Sequence, residues 1–184
     1  MTVENILATY AMADLATLKL GRQWYRDGGR IASTVGQGDR RLGAAAIAVL
    51  SPRKAWSVNV AQALAWGRGD TVQAFSPVMA KLERLRSGEN PNKVMMPAKP
   101  TQGRKTHAFY HNLAGDLEHV TVDIWALRVA LGGPVGDRDY QRVLGRVGAY
   151  DLVQDAYRQA GLIAGVRPAI MQATTWIVAR GSHD

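Results

Sequence analysis

Apolar positions recur along most of this chain at three- and four-residue spacings, the pattern of amphipathic helices. Between 4 and 27, Leu7, Met12, Leu15, Leu18, Leu20 and Trp24 mark one such stripe, and Asp27-Gly28-Gly29 is expected to end it. Gly36-Gln37-Gly38-Asp39 reads as a loop. The run at 42–50, Leu-Gly-Ala-Ala-Ala-Ile-Ala-Val-Leu, is apolar on all sides. It is a buried helix or a strand, and its alanines argue for helix. Pro52 breaks it.

A second stretch, 54–66, presents Trp56, Val60, Ala63 and Leu64 as an inner face. A third runs from about 70 to 86. Residues 87–104 hold three prolines and two glycines and form the longest irregular connection, a length usually functional or mobile inside a domain. Helix resumes at 105–113, and Val120-Thr121-Val122 is short and β-branched. Asp123 stands where an N-cap belongs, ahead of a helix at 124–131 that Gly132-Gly133-Pro134 stops. Two more helices follow, 137–160 with a break near 145–148, and 168–180 with Pro168 suited to its first turn. With no repeat and no βαβ alternation, the prediction is a mostly α, compact multi-helix bundle spanning 1–184 as one domain.

Apolar residues are 47% and charged residues 21% of the 184, a balance that fits a globular protein and excludes a disordered one. No apolar run approaches the roughly 20 residues of a membrane span, so no membrane partner is expected. Glu4 stands where a signal peptide would carry a basic residue. The absence of cysteine excludes disulfides, thiolate zinc sites, iron–sulfur clusters and a cysteine nucleophile. Together these point to the cytoplasm. The net charge of +8 changes the picture further, because 17 of the 23 basic residues are arginine, whose planar fork grips phosphate in two places. DNA is the expected partner.

Candidate chemistry concentrates at 103–129. Gly103-Arg104-Lys105-Thr106 opens a helix, Val122-Asp123 follows a turn, and Arg128-Val129 lies on the next helix. In these elements the chain resembles the helix-hairpin-helix DNA glycosylase superfamily, and the 18-residue separation of Lys105 from Asp123 matches its bifunctional members. Upstream, Ala46 to Pro52 with Val58-Asn59-Val60 is similar to an early segment of that family, so the resemblance covers 43–131, with 1–42 and 137–184 as helices packing on this core. The sequence departs from the family in four places, one of them Ile124 in place of a small polar residue. Lys99-Pro100-Thr101-Gln102-Gly103 stands where the hairpin reads Leu-Pro-Gly-Val-Gly, so the hairpin is degenerate. Trp125 replaces a histidine, and Pro52-Arg53-Lys54 replaces a glutamine-containing wedge. The chain ends, around Trp24 and Trp176, resemble small proteins encoded by actinobacterial phages, which would place the protein in the host cytoplasm.

The resemblance implies cleavage of an N-glycosidic bond after the base is flipped from the helix stack. Asp123 would be the catalytic carboxylate, and Lys105 either an amine nucleophile or a phosphate contact. Arg53, Lys54, Lys99, Gly103, Arg104 and Arg128 are the candidates for nucleic-acid binding. Trp56, Tyr110, Trp125, Gln172 and Trp176 are the candidates for the base pocket. Each has a plainer role: N-cap for Asp123, core packing for Trp56, Phe109 and Tyr110, a buried helix contact for Gln172 and Trp176. A catalytically inactive DNA-binding relative and a basic phage structural protein stand as alternatives. His107 and His111 are one helical turn apart, but no glutamate follows His107 and no third ligand is evident. With His119 expected in an exposed loop, neither a metal cluster nor any cofactor is expected. Gly181-Ser182-His183 is either native or the remainder of an affinity tag.

Overall fold

Five of the described helices start on a short polar side chain that accepts a bond from a free backbone amide. The computed structural model describes residues 2–181, so Ser182 and His183 of the terminal tripeptide lie outside the described residues. Within them, eleven helices and no named strand are present: α1 Val3–Ala11, α2 Leu15–Val35, α3 Arg40–Leu50, α4 Trp56–Gly67, α5 Ser76–Arg86, α6 Pro91–Met95, α7 Arg104–Ala114, α8 Ile124–Leu131, α9 Asp137–Leu144, α10 Ala149–Ala164 and α11 Pro168–Arg180. Thr2, Asp14, Asp39, Asn90 and Asp123 supply side-chain caps to α1, α2, α3, α6 and α8. The all-α, multi-helix bundle expected from periodicity is what forms.

The stripe at 4–27 belongs to two helices. Asp14 Oδ1 accepts the Thr17 amide at 2.7 Å, starting α2 afresh after a turn at Met12 and Ala13. Helix α2 then passes through Gly28 and Gly29 instead of ending there. The leucine of Leu113 presses against Gly28 and the Arg40 guanidinium lies over Gly29, so these glycines admit neighbours rather than turn the chain. The long connection at 87–104 holds α6 and a tight turn closed by a bridge between Lys99 and Gln102.

The apolar interior forms two clusters. In the first, α3 is buried from Gly43 to Leu50 and is surrounded by α2, α4, α5, α6 and α7. The second gathers Ile6 of α1 with side chains of α8, α9 and α10. Helix α11 serves both, with Ala169 and Ala173 in the first cluster and Met171 in the second. The N-terminus thus lies with the C-terminal half, and the Thr2 amide donates to the Ala130 carbonyl at 2.9 Å. No single described helix is long and apolar enough to cross a membrane.

The close contact of α2 and α3 depends on Gly43, where an added methyl would overlap the Ala32 carbonyl. Gly43→Ala is expected to destabilise the protein by about 2–3 kcal/mol through overpacking. Gly133→Ala, which meets nothing within 4 Å, is expected to be neutral or stabilising by up to about 1 kcal/mol. Urea unfolding of the two variants measures the contrast, and equal midpoints would contradict it.

Candidate functional site

The segment between α7 and α8 carries β-branched residues but pairs with no strand. Its backbone is satisfied by side chains instead. The Val120 amide donates to Gln154 Oε1 at 3.1 Å, and the Tyr150 hydroxyl donates to the Val120 carbonyl at 2.9 Å while accepting the Val122 amide at 3.0 Å. The Tyr140 hydroxyl donates to the Val122 carbonyl at 3.2 Å. Buried Asn112 closes the preceding turn, with Nδ2 donating to the carbonyls of Asp116 and His119 and Oδ1 accepting from Thr121. Burial pushes the Tyr150 phenol far above its ordinary value and that of Tyr140 up to about 12, so both stay neutral donors.

This segment delivers Asp123 to a cavity of about 140 Å³ between the two clusters. Its Oδ1 accepts the Ala126 amide at 2.8 Å, capping α8, and its Oδ2 accepts the Trp176 indole N–H at 3.0 Å. The plain cap and the site residue are one side chain. Lys105, from the first turn of α7, lines the same cavity, as do Trp56, Gln172 and Trp176. Trp24 stands 5.5 Å from Trp56 and 5.4 Å from Trp176, centroid to centroid, joining them into one aromatic wall. Phe109 meets Trp56 edge-on at 6.3 Å. Polar groups reach in between the rings. Gln172 Oε1 accepts from the Tyr25 hydroxyl at 2.8 Å, which burial holds protonated. Asn59 is 2% exposed, and its Oδ1 has no hydrogen-bond partner.

A groove of about 660 Å³ opens beside the cavity and shares Lys54, Lys105, Asp123, Trp176 and Arg180 with it. Arg53 and Trp125 line the groove but not the cavity. Arg53 holds a left-handed backbone, φ 60°, in an exposed turn, a conformation costly for a residue with a Cβ. Lys54 donates to Gln62, and partial burial lowers its pKa.

Other expected contacts are engaged elsewhere. Arg104 is bound through both Nη atoms to Asp151 and lies 4.8 Å over the Tyr150 ring, tying α7 to α10. Arg128 donates twice to the Val135 carbonyl and lies 4.5 Å over Trp125. Tyr110 is buried away from the cavity, donating to Asn92 at 2.6 Å. Lys99 and Arg104 border a separate groove with His107 and His119, and Gly103 opens α7 with φ 79°. Trp24, Tyr25, Asn59 and Thr121 were not among the expected site residues, because the spacing of apolar positions shows which face is inside, not which interior positions border a void.

The expectation of no metal cluster is corrected. Gly115, at φ 111°, turns the chain back over α7, and ligand atoms of His111, Asp116 and His119 converge within 4.8 Å of one another. The third ligand comes across a turn, where a search at helical spacing does not look. His119 is half-buried, stacked on His111 at 4.2 Å.

Comparison with family models adds a classification. The model described as "Family of unknown function (DUF7178)" matches residues 1–183. The chain belongs to that family. No curated protein matches, and no solved structure matches.

Tyr150→Phe leaves the Val120 carbonyl and the Val122 amide without partners, and should cost about 2–4 kcal/mol. Tyr110→Phe, whose partner Asn92 is exposed to water, should cost about 1 kcal/mol. Amide exchange at Val122 should accelerate in the first variant only. Unchanged exchange there would show that Tyr150 does not hold the segment.

Proposed function

We propose that this protein binds DNA and cleaves the N-glycosidic bond of a base turned out of the duplex, as a divergent, phage-type member of the helix-hairpin-helix glycosylase superfamily acting in the cytoplasm. The observation that carries this reading is the meeting of Asp123 and Lys105 at one aromatic-walled cavity with a buried, unpartnered Asn59 oxygen. Flat π-faces suit a stacked heterocycle, and amide groups suit its hydrogen-bonding edge. The Asn59 oxygen would accept from a base N–H, a bond that repays its desolvation.

In the reaction, the C1′–N bond breaks with both electrons leaving on the base, and positive charge develops on the sugar. The Asp123 carboxylate, fixed by the Ala126 amide and the Trp176 indole, stabilises that charge. It then takes the proton from the attacking nucleophile, which is water or the Lys105 amine. Attack by the amine ends in an imine on the opened sugar, reducible by borohydride. The succession of α6, the bridged turn at 99–102 and α7 supports the family reading. So do the basic residues Arg53, Lys54, Lys105 and Arg180 around the groove, which suit phosphates.

Asp123→Asn has one acceptor oxygen where the carboxylate uses two, so it keeps either the Ala126 cap or the Trp176 indole contact, not both. It is expected to fold with a loss of about 1 kcal/mol of stability, bind DNA normally and lose excision. Asp123→Ala loses both contacts and should cost about 1–3 kcal/mol. The assay is alkali cleavage and borohydride trapping on duplexes carrying uracil, oxidised, alkylated or hypermodified bases. A trapped adduct absent in Lys105→Ala assigns the amine as nucleophile, and abasic product without trapping assigns water. DNA binding with no product across the panel would leave a non-catalytic DNA-binding protein, and no DNA binding would overturn the reading.

Arg53→Gly separates strain from function. It is expected to raise stability by about 1 kcal/mol while lowering the log–log salt slope of DNA binding by about 0.9. A slope equal to that of the wild type would remove Arg53 from the interface.

A further inference from the structure

The histidine cluster lies away from the aromatic cavity and is independent of the reading given to it. We infer that His111 Nδ1, Asp116 Oδ2 and His119 Nε2 form a binding site for a divalent transition-metal ion of zinc-like preference. Two imidazoles and a carboxylate are a donor set that such ions favour over magnesium or calcium. A tetrahedral ion with bonds of about 2.0–2.1 Å places its ligand atoms about 3.3–3.5 Å apart. His119 Nε2 and Asp116 Oδ2 already stand at 3.4 Å, and His111 Nδ1 is 3.9 Å from the same oxygen. Side-chain rotations of roughly an ångström complete the set.

Two features prepare these groups. The other nitrogen of His111, Nε2, is 3.2 Å from His107 Nε2. With Nδ1 on the ion, Nε2–H donates to His107, the outer hydrogen bond that orients metal-bound imidazoles. Asn112 Nδ2 holds the backbone carbonyls of both Asp116 and His119, so two of the three ligands sit on a fixed turn. The imidazoles are also kept neutral, mainly by burial, with His107 down to about 4. Of the cations facing the cluster, Arg104 is neutralised by Asp151 and Arg158 by Asp155, leaving Arg41 and Lys81 to oppose the ion.

Three protein ligands leave a fourth position for water. His119 borders the groove of about 500 Å³ shared with Lys99, Arg104 and Arg158, which gives that water a path. The ion would clip α7 to the turn that leads into Thr121 and Asp123.

The test is titration of the chelator-treated full-length protein with zinc alone, read by calorimetry and by thermal unfolding. About one zinc per chain should bind and raise the midpoint. Binding should weaken about tenfold or more in Asp116→Asn and in His119→Ala, with circular dichroism confirming that both fold. Asp116 is exposed enough for its variant to fold even if His119→Ala does not. Cobalt in place of zinc should give visible absorption of tetrahedral intensity in the wild type, lost in Asp116→Asn. No stoichiometric zinc in the wild type, or affinity unchanged in Asp116→Asn, would overturn the site.

Discussion

Everything at the cavity depends on a stretch of extended backbone that has no sheet to join. Residues 120–122 run through the interior, where an unsatisfied amide or carbonyl costs about 1–3 kcal/mol. Tyr140, Tyr150 and Gln154 take the place of neighbouring strands. Because all three come from α9 and α10, the second cluster grips the segment and presents the residue that follows it, Asp123, to a wall built largely by the first. Asn112 does the same for the preceding turn from the side of α7. The carboxylate is therefore placed by the packing of both clusters, not by the local sequence around it.

This division explains what could be read beforehand. Helix identity was legible nearly throughout, since amphipathic spacing and polar caps are local. The buried alanine-rich α3 and the break before α10 follow from composition and glycine placement. Asp123 was legible as a cap because a cap is local too, and its bond to the Trp176 indole was not, because 53 residues separate them. Gly28 and Gly29 misled: their backbones are helical, and what they provide is room for Leu113 of α7 and Arg40 of α3. His119 misled for a similar reason. Nothing in its neighbourhood foretells that Gly115 folds it onto His111.

Charge shows the same limit. Net charge gave an expectation of phosphate binding, but two of the arginines that motif matching selected are spent within the fold. Arg104 neutralises Asp151 and Arg128 stops the loop at Val135. The cations left at the cavity mouth are Arg53, Lys54, Lys105 and Arg180. Arg53 stands there in a backbone conformation that a glycine would adopt at lower cost, and such strain is typically kept where a side chain is needed.

The most direct measurement is a crystal structure of the Asp123→Asn protein with a duplex carrying one of the modified bases. A base turned out between Trp56 and Trp176, with its edge at Asn59 and Gln172 and its flanking phosphates on Arg53 and Lys105, is the expected result. A duplex bound with every base stacked, or bound on a face away from this cavity, would contradict it.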